Sequence, residues 1–139
     1  MYAFIDRPIS SLGRGSRFVL WAMRSWTRAV HSGTCPPGTL ATAFLRHHAI
    51  DALPPFHRLM GELNLRARDR IALAELGCPV VSEWEAMLLQ LWVDARAEPF
   101  RARAMLDAVV EEEAVAPCFE ALITAATRIT AAGLPILVH

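Results

Sequence analysis

His47 and Asp51 are spaced i,i+4, His48 is adjacent, and His57 follows shortly after. On one helix face, imidazole and carboxylate at that spacing are a donor set for zinc or iron. The chain nevertheless holds no Cys-x-x-Cys and no His-x-x-x-His spacing. The competing reading is a surface histidine paired with a nearby acid, or a cation near the end of a helix. No bound metal is expected.

Each cysteine adjoins a proline: Cys35-Pro36, Cys78-Pro79 and Pro117-Cys118. A thiolate is a known axial ligand of haem. A two-residue motif is weak, and a small apolar residue beside a helix start is the simpler reading. No haem or other cofactor is expected. There is also no Gly-x-Ser-x-Gly elbow, no phosphate-binding glycine loop and no His-Glu-x-x-His. The acidic run Glu111–Glu113 reads as solvated charge favouring the start of a helix. No catalytic residue is assigned, and the surplus of apolar side chains leans away from an enzyme.

Arg17, Trp21, Arg24 and Arg28 are the candidate partner-binding residues. At helical spacing they share one sector, and Arg14 extends it if the helix begins early. Guanidiniums around an indole can bind phosphates, with the ring free to stack. They can equally hold an acidic protein surface, with Trp21 as an anchor. Two other readings compete. Trp21 can pack beneath the N-terminal arm or against the last helix. The arginines can meet Glu83, Glu85 or Glu111–Glu113, within the chain or across a dimer.

The formal net charge of zero hides a strong asymmetry. Residues 1–70 hold ten arginines against four acids, and residues 71–139 hold four arginines against ten acids. Lysine is absent, so every such cation is a rigid guanidinium fork suited to carboxylates and phosphates. Zero total charge and the lack of a helix-turn-helix signature rank nucleic acid below a protein partner. At 139 residues, 54 % apolar and 20 % charged, the chain is long and apolar enough for one real core. The same composition predicts self-association as a homodimer, through the first or the fourth helix. Three cysteines cannot all pair internally, and Met1–Arg17 lacks a continuous apolar stretch, so a cytoplasmic setting is expected. Val115–Val138 is the most apolar segment, but Glu120 and Arg128 argue against a membrane span.

The elements that must position these groups read as all-α: a compact bundle of about six helices behind an N-terminal arm, 1–15, with 16–139 as a single helical domain. The arm packs through Tyr2, Phe4 and Ile5 or stays loose. Helix one runs from about Arg17 to His31, capped by Ser16, with Val19, Met23, Trp26 and Val30 inward. Helix two spans about Leu40–Ile50. Helix three starts at Pro54 or Pro55 and turns Phe56, Leu59, Met60 and Leu63 inward. Residues 68–77 fit helix, strand or loop. Ser82 and Glu85 form a capping box for helix four, whose apolar face is Trp84, Met87, Leu88, Leu91 and Trp92. Helix five opens near Pro99 and holds Phe100, Met105, Leu106 and Val109. Helix six spans about Val115–Ala132, and the tail 134–138 packs back.

Cys35–Met60 and Cys78–Leu106 echo each other: both open Cys-Pro, enter a helix and restart at Pro-Phe. The echo is either coincidence of helix punctuation or a duplication that would stack two helical hairpins. The function that fits best is a non-enzymatic helical regulatory or adaptor protein acting through protein contacts. The alternatives are a small nucleic-acid-binding regulator and an enzyme or metal-binding protein.

Overall fold

A computed structural model describes residues 3–138. Among these residues six α-helices follow in order: α1 (Arg14–Ser32), α2 (Pro36–Arg46), α3 (Leu53–Arg66), α4 (Glu83–Ala97), α5 (Pro99–Val109) and α6 (Glu112–Ala131). Short 3₁₀ turns occupy Ile9–Ser11 and Ile50–Ala52. The architecture is an all-α compact bundle, and no strand forms among the described residues. Two isolated bridges, Pro8 with Val80 and Ala67 with Val110, join loops. No helix among the described residues is long and apolar enough to cross a membrane.

The local causes are plain. Pro36 and Pro99 open α2 and α5, where the missing N–H costs nothing. Gly33 leaves α1 in the left-handed region at φ 74°, and Gly133 closes α6 at φ 89°. Ser82 and Glu85 make the capping box of α4 with both reciprocal bonds present. Tyr2 lies outside the described residues. Phe4 is fully buried, and the segment around it runs beside 79–81. There Asp6 N–H donates to Val81 O at 3.0 Å, Val81 N–H to Arg7 O at 2.9 Å, and Ile9 N–H to Pro79 O at 2.8 Å.

Four elements share a relay of rings. Phe18 of α1 meets Phe44 of α2 at 5.0 Å, Phe44 meets Phe56 of α3 at 5.5 Å, and Phe56 stacks on Trp92 of α4 at 6.0 Å. Aromatic pairs at such separations add specific geometry to large apolar burial. α6 packs most extensively on α3 and closes the bundle with Leu122, Ala125, Ala126 and Ile129 fully buried.

Several expectations change. α1 begins three residues earlier than expected, capped by Gly13 rather than Ser16, whose hydroxyl instead donates to Leu137 O at 2.7 Å. α2 stops at Arg46 because His48 turns to φ 60°, so Ile50 lies beyond it in the 3₁₀ turn. Val30 is 37 % exposed, past the end of the α1 core stripe. Residues 68–77 are an extended loop with one turn. Phe100 is 91 % exposed, whereas its echo Phe56 is fully buried. The two Cys-Pro hairpins therefore share punctuation but place matching residues in opposite surroundings.

The tail 134–138 docks on the start of α1 and on the arm. Leu134 and Ile136 of the tail are buried, and the Arg7 guanidinium donates to Val138 O. The tail passes so close to Gly15 that a Cβ there would overlap the backbone oxygens of Leu134 and Pro135. Gly15→Ala should therefore cost about 1–3 kcal/mol and loosen the tail, since neither backbone can yield cheaply. Gly61→Ala in α3 has open space and should have the opposite sign, a gain of about 0.5–1 kcal/mol. Urea melts of both variants, with hydrogen exchange at 134–138, check the pair. A neutral Gly15→Ala would contradict the close approach.

Candidate functional site

The three-residue connection 33–35 makes α1 and α2 antiparallel neighbours, so the end of α2 returns to the start of α1. Arg14, Arg17 and Trp21 of α1 thereby face Ala43, Arg46 and His47 at the α2 end. Between them lies an open cleft of about 580 Å³, floored by Phe18 and Leu20 and walled by Ile9, Leu76 and Leu134. Trp21 is half-buried, 6.1 Å from Phe18, and the His47 ring stands edge-on to Phe18 at 5.1 Å. No acidic side chain lines the cleft among the described residues. Arg14, Arg17 and Arg46 are exposed and have no carboxylate partner among the described residues.

The cleft also breaks a local rule. The first turn of α1 has no acid and opens on Arg14, although the positive end of a helix dipole favours carboxylates. Local choices that conflict with the fold tend to mark functional positions. An anion seated in this cleft would relieve that repulsion.

Of the four residues expected to bind a partner, Arg17 and Trp21 line this cleft and Arg28 does not. Arg28 is exposed on the next groove along α1, which it shares with Thr27, His31 and Glu75. Arg24 leaves the partner-binding sector and follows the competing reading, in which these arginines meet an acid such as Glu85 within the chain. Its side chain is 3 % exposed and turns inward to Glu85, which is fully buried. Nε donates to Glu85 Oε2 at 2.7 Å and Nη2 to Oε1 at 2.8 Å. The rest of the fork reaches the carbonyls of Cys78 at 2.8 Å, Val80 at 2.9 Å and Leu76 at 3.5 Å. Glu85 in turn accepts from the N–H groups of Ala74 at 3.0 Å and Ser82 at 2.9 Å. This is the bidentate pairing in which guanidinium and carboxylate match best. Sequence reasoning missed Arg46 and His47, because helix two was placed too late to bring its end back to α1.

The histidine–acid group does not assemble. His47 packs on Phe18, and Asp51 lies beyond the helix end, 4.0 Å from Arg128. His57 Nδ1 accepts from the indole N–H of Trp26 at 2.9 Å. Cys35 is exposed as the cap of α2, and Cys78 lies in the loop held by Arg24. Cys118 is buried in α6, and burial, with Glu62 adding to it and Arg58 opposing, pushes its thiol up to about 11. Among the described residues no three His, Cys, Asp or Glu side chains form a metal-binding group.

Burial alone would raise the Glu85 carboxyl. The bond from Arg24 and the backbone donors Ser82 and Ala74 outweigh it, and the carboxyl lies below its ordinary value of 4.5. The bond to Glu85 raises Arg24 against its own desolvation, so it stays charged. A carboxyl depressed on folding adds stability above its unfolded value and loses it as pH falls through the folded one. Wild type should therefore weaken as pH drops below the ordinary value of 4.5. Glu85→Gln should cost roughly 3–5 kcal/mol at pH 7, by leaving Arg24 buried and uncompensated, and should flatten the acid limb. Urea titrations from neutral pH into the acid range check both effects. A Glu85→Gln variant with wild-type stability and wild-type acid slope would refute them.

No protein-family model matches the chain, and neither a curated protein nor a solved structure matches it.

Proposed function

We propose that the chain works by contact, as a regulatory or adaptor protein that takes an acidic segment of a partner protein into the Arg14–Arg17–Trp21–Arg46 cleft. The observation that carries this reading is three guanidiniums beside an aromatic wall, with no carboxylate partner and no acid lining the cleft among the described residues. An aromatic anchor inside a charged rim is the usual anatomy of a protein contact. Opposite charge on a partner would steer encounter and give selectivity. The free thiols Cys35, Cys78 and Cys118 support the cytoplasmic setting.

A protein segment fits better than nucleic acid because the arginines do not form one track. Arg24 is withdrawn into the core, Arg66 faces Glu111 at 3.5 Å, and Arg70 borders another groove beside Asp69. Backbone binding draws its affinity from several phosphate contacts in sequence.

The test uses a labelled peptide with one Phe flanked by Asp and Glu, read by fluorescence anisotropy. A Phe-free acidic peptide and a single-stranded oligonucleotide serve as comparisons. The Phe-containing peptide should bind best, and salt should weaken it. Arg17→Glu combined with Arg46→Glu should cut binding about tenfold or more while circular dichroism stays unchanged. Binding of the oligonucleotide alone through these arginines would move the reading to nucleic acid. Binding of neither probe would remove the proposed role.

A further inference from the structure

Phe100 is the most exposed large apolar side chain among the described residues, at 91 %. It stands in the first turn of α5, on a shallow groove shared with Ala104 and Asp107 of α5 and Glu112, Val115 and Ala116 of α6. Arg103, the one cation on that groove among the described residues, lies over the Phe119 ring at 5.4 Å. Asp107, Glu112 and Glu113 are exposed and have no cationic partner among the described residues. This tip is thus an aromatic knob beside two carboxylates, Asp107 and Glu112, with Glu113 next along α6. The cleft is an aromatic-walled hollow beside three guanidiniums, Arg14, Arg17 and Arg46.

The tip is built on α5 and α6, and α5 packs on α4 and α6. The cleft is built on α1 and α2. The two surfaces match in charge and in shape class but belong to different sides of the chain's connectivity. Their pairing is most simply made between molecules, and it uses the opposition between a basic half and an acidic half of one neutral chain. A phenylalanine this exposed also gains from a cover, since large exposed apolar groups favour association.

We propose that the cleft's occupant is a second copy of this chain: Phe100 of one molecule enters beside Trp21 and Phe18 of the other, and Asp107 and Glu112 meet the guanidiniums of Arg14, Arg17 and Arg46. This rests on the reading of the cleft as a site for an acidic segment, and it names the partner. The volume of about 580 Å³ admits a phenyl ring with room for the carboxylate rim. The contact joins unlike surfaces, so it forms either reciprocally in a two-fold dimer or head to tail.

Sedimentation over a wide concentration range tests the proposal with the full chain. Wild type should associate, less so at high salt. Phe100→Ala should weaken association about 30-fold, equivalent to about 2 kcal/mol, without lowering thermal stability. Arg17→Glu combined with Arg46→Glu should abolish it. The decisive arm mixes the two variants. One keeps the cleft and the other keeps the tip, so at a concentration where each variant alone is monomeric a one-to-one pair should reappear on mixing. A wild type that stays monomeric at every concentration overturns the proposal. So does association that survives both variants, or that mixing does not restore. If the acidic Phe peptide still binds in those cases, only the second copy is excluded as occupant. If the peptide fails as well, the reading of the cleft falls with it.

Discussion

The buried pair between Arg24 and Glu85 is the constraint on which the rest of the structure depends. It joins the middle of α1 to the first turn of α4, 61 residues later, and gathers the connecting loop around itself. The loop 68–82 has no regular structure, so its carbonyls and amides need partners. Arg24 serves the carbonyls of residues 76, 78 and 80, and Glu85 serves the amides of residues 74 and 82. Two buried charges desolvate at a cost of several kcal/mol each, and their mutual attraction often only balances that. The value of the pair lies in position more than in net stability. It fixes where the loop crosses α1, and the loop in turn provides Leu76, a wall of the cleft.

α1 is the helix around which the segments that border the cleft are arranged. Its inner face meets α2, α3 and α4, its middle holds the loop through Arg24, and its N-terminal turn receives the tail at Gly15 and Ser16. The side of α1 left uncovered at that end is the stretch carrying Arg14, Arg17 and Trp21. The cleft is the space left between α1, α2, the loop, the tail and Ile9 of the arm. Two packed helices, α1 and α2, hold its arginines near one another, which lowers the ordering cost of binding.

The helices were legible in the sequence because their signals are local. Capping box, proline starts, glycine stops and the stripe Val19–Met23–Trp26 each act within a few residues. What was not legible is long-range or conformationally unusual. Glu85 reads correctly as a capping residue and as one of several acids open to the α1 arginines, but no local signal singles out Arg24 as its distant partner. Arg24 looks like its neighbours on a helical wheel, and only the loop folded over it makes it interior. The end of α2 depends on one histidine adopting a left-handed backbone, a conformation not expected from residue type. Arg46 entered the cleft for the same reason, because the earlier end of α2 places it beside α1. Of the candidate site, Trp21 and Arg17 could be read in advance, while the residues opposite them could not.

The two surfaces left unexplained by folding are the ones that break its rules. Arginine opens α1 where a carboxylate would be favoured, and phenylalanine stands in the first turn of α5 almost fully exposed. Neither choice stabilises the isolated chain. Each would gain from an external group that supplies what it lacks: carboxylates for the first, an apolar cover for the second. Asp107 and Glu112 stand beside Phe100, and Trp21 stands beside Arg17, so each surface carries what the other is missing. A stable bundle could have been made with acid in place of Arg14 and alanine in place of Phe100. Their presence in complementary form is what the proposed association would use, and the neutral total charge is the balance between a basic half and an acidic half.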